Sequence, residues 1–142
     1  MQGIWIKDPT PIWDGIEQYM TDDSNSIETN GQFIGVEHGG AIIGAFLVRP
    51  WSSFCWEMHG GVPKEFWGHG EEICREAGMF LFRMTPAVKI LAIIPEFNRM
   101  MRRCVKALGM KKEGVVTKSF MRGMKLHDQH IYGITRGEVC HQ

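Results

Sequence analysis

A carboxylate and an imidazole stand two positions apart in the run Phe54-Cys55-Trp56-Glu57-Met58-His59. In an extended strand that spacing puts Glu57 and His59 on one face, about 7 Å apart at Cα. Histidine titrates near neutral pH, so the pair has the chemistry to accept a proton from an ammonium group. A cross-strand ion pair or a hydrogen-bonded histidine at a rim would use the same two residues without chemistry. His59-Gly60-Gly61 reads as a bulge that frees backbone N–H groups, and this draws attention to His59 ahead of Glu57. Further on, Trp67-Gly68-His69-Gly70-Glu71-Glu72 joins a glycine-rich turn to a helix start. Consecutive amides and a helix N-terminus aimed at one spot form a cradle for a phosphate group.

Other chemistry-bearing residues are less well placed. Asp128 and His130 share a face of the last expected strand, which partial solvation explains, and His38 belongs to a turn. Arg99, Arg102, Arg103, Lys106, Lys111 and Lys112 make a basic patch without the interleaved aromatics of a nucleic-acid surface. The ten methionines suit adaptable core filling. No Ser/His/Asp order and no metal-ligand cluster stands out. Cys55, Cys74, Cys104 and Cys140 are scattered, with no Cys-x-x-Cys, and read as free thiols in a reducing compartment.

These candidates need elements to hold them. Alternation and stops predict a first strand over Gly3 to Lys7 and a helix through Trp13, Ile16, Glu17 and Met20, followed by a loop or a frayed second helix from Thr21 to Gly31. The period then becomes two. A hairpin from Gln32 to Val48 turns at Gly39-Gly40, and a third strand of this group runs from Ser53 to His59. Helical spacing follows from Glu71 to Phe82. The apolar run Ala87 to Ile94 reads as a strand covered on both faces. A basic helix from Asn98 to Leu108 is closed by Gly109 in a left-handed cap. Two strands, Lys111 to Phe120 and His127 to Thr135, end the chain around a turn at Arg122-Gly123-Met124.

At 142 residues this is one α/β (α+β) domain, residues 1–142, long enough for a single core. The hydrophobic fraction of 44% and five Trp argue against disorder, and sixteen basic residues balance sixteen acidic ones. That balance gives no reason to expect a nucleic acid or an anionic membrane as partner. With no apolar run of membrane-spanning length, the expected location is cytoplasmic.

Taken together, the order of elements, the WGxG turn into a helix, and the segment PEFNRMMRRCVKALGM followed by KKEG resemble the Gcn5-related N-acetyltransferases. The likeness runs from about Gln32 to Arg136. Its most specific part is Asn98, then Leu108-Gly109-Met110 and Glu113-Gly114, which match the family's Asn, nine variable residues, Leu-Gly-Phe and Glu-Gly. The resemblance implies a mixed, mainly antiparallel sheet flanked by helices and splayed between strands 4 and 5, with acetyl-CoA in the cleft. It implies that Val62 and Asn98 hold the pantetheine arm, that the amides of Trp67, Gly68, His69, Gly70, Glu71 and Glu72 hold the pyrophosphate, and that a base or a water wire is needed, for which the strand alternation offers His59 or Glu57. The acceptor would be a primary amine: a protein N-terminus, a lysine or a small amine. Two positions depart from the pattern. Glu72 replaces a small residue and can itself occupy a helix N-terminus; Val105 stands where many members carry a tyrosine acid, leaving water or Cys104 to protonate the leaving thiolate. Both departures suit a second possibility, a catalytically silent copy with a protein partner, such as a compact bacteriophage-encoded head-assembly or internal virion protein.

Overall fold

The sheet grows from a hairpin whose turn sets the first pairs, before a bulge between Val36 and Glu37 shifts the register. Gly39 and Gly40 both have positive φ, +60° and +80°, which is what a two-residue turn matching the twist of its strands demands. This joins β2 (Gln32–His38) to β3 (Ala41–Pro50). The computed structural model describes residues 1–9, 12 and 31–140. The helix expected through Trp13 and Met20 lies outside these, as does the loop or frayed helix expected from Thr21, Gly31 excepted.

The described strands are β1 (Gln2–Ile6), β2, β3, β4 (Cys55–Gly61), β5 (Lys89–Pro95), β6 (Lys111–Arg122) and β7 (Lys125–Thr135). They form one sheet in the order β1-β2-β3-β4-β5-β7-β6, antiparallel except where β4 meets β5. A 3₁₀ turn (Lys64–His69) leads into α1 (Gly70–Met84), and α2 (Arg99–Leu108) follows β5. A short α3 (Arg136–Cys140), not expected from the sequence, ends the chain. Arg136 anchors it by donating from Nε to the Ala87 carbonyl at 3.1 Å and from its guanidinium to the Thr85 carbonyl at 3.1 Å.

One face of the sheet carries the main core. Ile34, Val36, Phe46 and Val48 meet Ile73, Ala77 and Leu81 of α1, while Ile90, Ile94 and Tyr132 belong with Val105 and Leu108 of α2. The apolar stripe of each helix is what brings it there. On the other face, Ala45 and Leu47 are buried against Ile6, Ile12 and Phe33. The caps are as the residues suggest: Asn98 Oδ1 accepts from the Met101 N–H at 3.2 Å, and Gly109 closes α2 at φ +102°.

Strands β4 and β5 pair in parallel only over Cys55–Lys89, Trp56–Ile90 and Glu57–Leu91. Beyond Glu57 the two separate, so the sheet opens between its fourth and fifth strands. No bulge occurs at His59-Gly60-Gly61, because β3 pairs with β4 in unbroken register from Arg49–Glu57 to Ala45–Gly61. Backbone groups of Met58 to Gly61 instead become free on the β5 side. Gly60 has a different cause: a Cβ there would fall on the ring of Phe46, its cross-strand partner.

Gly60→Ala should therefore destabilise the fold by about 1–3 kcal/mol through overpacking. Gly68→Ala, with nothing within 4 Å of the added methyl, should be neutral or stabilising by up to about 1 kcal/mol. Denaturant midpoints of the two variants test this, and equal midpoints would show that Phe46 does not constrain Gly60.

Candidate functional site

Where β4 leaves β5, a cavity of about 340 Å³ opens. Its walls are Gly60, Gly61 and Val62 from the end of β4, Trp67 from the 3₁₀ turn, Phe97 to Met101 at the start of α2, and Arg122 at the end of β6. Each wall has an evident reason to be in position. The Trp67 indole Nε1 donates to the Val62 carbonyl at 2.8 Å and ties the turn to the strand end. Asn98 caps α2, so its Oδ1 is engaged and its amide N–H donors are what it offers a ligand. The Arg122 guanidinium lies over the Phe97 ring at 5.1 Å. Arg99 and Arg122 give the cavity a positive lining suited to an anionic group.

Of the residues expected to bind a cofactor, Val62, Trp67 and Asn98 meet in this cavity. Gly68, His69, Gly70, Glu71 and Glu72 do not line it. They wind through the 3₁₀ turn into α1, with the Phe66 N–H on the Pro63 carbonyl and the Gly70 N–H on the Trp67 carbonyl. Of the five, the Gly70 amide is thus committed within the turn. No side chain caps α1; Glu72 is exposed, and Glu71 lies 3.9 Å from Arg103. Gly70 packs against α2 so closely that a Cβ would come within 2.9 Å of Cys104 Sγ. Cys104 itself is buried, its thiol donating to Met100 Sδ at 3.4 Å, and is not part of the cavity wall. It is therefore not placed to donate a proton to a ligand in the cavity. The Cys74 thiol nearby is pushed well up by contact with Cys104 and by burial.

Glu57 and His59 do come together. They lie on the face of β4 opposite Met58 and Gly60, directly beside Arg49 and Leu47 of β3. Glu57 Oε2 is 3.0 Å from His59 Nε2, and Oε1 is 2.9 Å from Arg49 Nε. The His59 hydrogen bond, then the charges of His59 and Arg49 and a hydrogen bond from Trp51, hold the Glu57 carboxyl below the ordinary range against the opposing effect of burial. An ionised carboxylate only accepts, so His59 Nε2 donates in this contact, and in the neutral imidazole the lone pair is on Nδ1. The contact fixes the His59 ring against Glu57 and leaves Nδ1 as the nitrogen it does not engage. The sequence pattern found the pair but not Arg49, whose place follows from register. Nor did it find Phe97, or Arg122 as a wall of the cavity, the latter being read only as part of a turn.

No family model matches the sequence, and no curated protein sequence matches it. Solved structures do. The spermidine/spermine N-acetyltransferase SpeG of Vibrio cholerae, in glutamate-to-glutamine mutant forms, superposes with a TM-score of 0.79 at 14% identity, covering 99% of this chain and 97% of that one. A GNAT-family acetyltransferase from Bacillus anthracis gives 0.73 at 17%, covering 97% of each. RimJ from Mycobacterium smegmatis, in complex with CoA-disulfide, gives 0.64 at 17%, covering 76% of this chain but 54% of that one. The chain has the fold of the Gcn5-related N-acetyltransferases. Among the described residues, no helix is long and apolar enough to cross a membrane.

The clamp on Glu57 has a pH signature. Its native pKa is lowered, so its contribution to stability is complete above the ordinary value of 4.5 and is lost as pH falls through the native value. Glu57→Gln should remove that component. The difference in melting temperature between parent and variant should then shrink from about pH 5 to about pH 3; a constant difference would mean that the carboxylate is not clamped.

Proposed function

We propose that this protein is an acetyl-CoA-dependent N-acetyltransferase acting on a primary amine, with His59 as general base. The observation that carries the reading is the parting of β4 and β5 after Glu57–Leu91, which leaves an unpaired strand edge beside a positively lined cavity. The residues present fit the group: extended backbone at Met58 to Gly61, Val62, Trp67, the Asn98 amide, and the cations Arg99 and Arg122. The start of α1, Gly68 to Glu72, is the side toward which a pyrophosphate would extend. Acetyl-CoA, when bound, supplies an acyl thioester as electrophile.

The chain's own part is proton handling and orientation. His59 Nδ1 takes a proton from the incoming ammonium on the face of β4 opposite the cavity floor, while Glu57 stays ionised and holds the ring through Nε2. The contacts with His59 and then Arg49 keep Glu57 from becoming the base itself. Free backbone N–H groups along the β4 edge are donors for an oxygen that gains negative charge. A protein N-terminus, a lysine and a small amine remain the acceptor classes, and the likeness to a spermidine/spermine N-acetyltransferase favours including polyamines among those assayed.

The second reading is a catalytically silent copy used for binding a protein partner. One observation favours it: Glu71 and Glu72 occupy the first turn of α1, where they add negative charge beside any pyrophosphate.

Calorimetric titration should give micromolar affinity for acetyl-CoA, and no heat at millimolar ligand would sink the enzyme reading. Under the silent reading Glu72→Ala creates or tightens binding; a variant that binds no better than the parent removes the acid as its explanation. With an amine that is turned over, His59→Ala should lower kcat by about 10²–10⁴-fold and leave acetyl-CoA affinity unchanged. Full activity in that variant would exclude His59 as base.

A further inference from the structure

On the other flank of α2 from α1, three basic side chains converge. Arg102 Nε and His130 Nδ1 are both buried and have no hydrogen-bond partner among the described residues. Register brings Lys112 to the same place: it pairs with Tyr132, two residues from His130 and on the same face of β7, and the His130 and Tyr132 rings lie 6.4 Å apart. That face also holds Ile94, the β5 partner of His130, and is the one α2 covers. The nearby carboxylates are already engaged. Glu96 Oε1 is 3.1 Å from His127 Nδ1, and Asp128 Oδ1 accepts from the Lys118 N–H at 2.9 Å.

A buried guanidinium N–H without an acceptor is costly, an imidazole nitrogen without a partner adds to that cost, and cations packed together add further. A water molecule would supply an acceptor but no charge. An oxyanion supplies both, since it offers several acceptor oxygens and charge-assisted bonds to guanidinium, ammonium and imidazole. We propose that Arg102, Lys112 and His130 form a binding site for a phosphate-type oxyanion between α2 and the β6–β7 pair, apart from the cavity at the β4–β5 opening. Lys112 is exposed and Arg102 and His130 are half-buried, so an ion can enter. None of the three lines the cavity. Burial together with the charges of Lys112 and Arg102 pushes the His130 pKa down, against the weaker opposite pull of Glu96 and Asp128; a bound anion would reverse that balance. The site lies along α2 about one turn from Asn98, so its occupancy bears on the helix end that lines the cavity.

The experiment is a titration of the whole protein with inorganic phosphate, following the His130 ring by NMR at constant ionic strength. A saturating shift of that ring, with a rise in its pKa, is expected. Arg102→Gln and, separately, Lys112→Met should each weaken the response by roughly tenfold. Lys112 is exposed, so that variant tests the site even where Arg102→Gln fails to fold. A response that is absent, does not saturate, or survives unchanged in either folded variant overturns the proposal. Two sources of the phosphate group are then told apart by adding CoA. If CoA displaces inorganic phosphate and dephospho-CoA does not, the site receives the nucleotide's own 3′-phosphate; if both leave the ring shift in place, it receives a separate phosphorylated effector. The outcome is independent of acetyl transfer, which is read at His59.

Discussion

Everything that makes this fold usable depends on two parallel strands that pair for three residues and then part. A fully paired β4 would have no backbone groups to offer and no cavity beside it. Up to Glu57–Leu91 the contact with β5 closes the sheet; after it, continued pairing with β3 keeps β4 extended and rigid. The cleft is thus an interruption on one side of an ordered strand. Its rim is held by features with structural causes of their own, namely the Asn98 cap, the Trp67 bond to the Val62 carbonyl and the Arg122 contact with Phe97. The cavity is set up by packing before any ligand arrives, which is the condition for binding without a large ordering cost.

The same economy governs the charged groups on the opposite face. Glu57 is gripped from two sides, by Arg49 and by His59, so it has little freedom to change either protonation or position. His59 gains a defined ring orientation from that restraint. A carboxylate that orients an imidazole while being neutralised by an arginine divides two tasks between neighbouring residues, and the antiparallel register alone makes the division possible.

Much of this was legible in the chain. Period-two alternation marked β4 and placed Glu57 with His59; the apolar run marked β5; Asn98 and Gly109 bracketed α2. What the residues concealed was the reason for several glycines. Gly60 looked like part of a bulge, yet it is small because the Phe46 ring, fourteen positions earlier, lies where its side chain would be. Gly70 was read for its amide alone, and its lack of a side chain also admits the sulfurs of Cys104 and Met100 from the next helix. A glycine advertises a missing side chain without saying what fills the space, and the filler is distant in sequence. Arg122 was hidden for a related reason. β6 is irregular between Lys112 and Gly114 and again between Val116 and Phe120, where Lys118 takes a φ of +49°, and only after those departures does its end reach Phe97. Local pattern carries no record of accumulated bends. The short α3 was equally invisible, since its anchor is the Arg136 contact with the carbonyls of Thr85 and Ala87.

The Phe46–Gly60 pair carries a consequence for how this chain can drift over generations. The two positions share one volume, so neither can change size alone without strain or a hole, and substitutions there are coupled rather than additive. A lineage that shortened Phe46 would gain room for a side chain at position 60, which stands on the cavity wall. The width of the cleft is therefore written partly into β3, at a residue that does not line the cavity, and its descendants could be tuned from there.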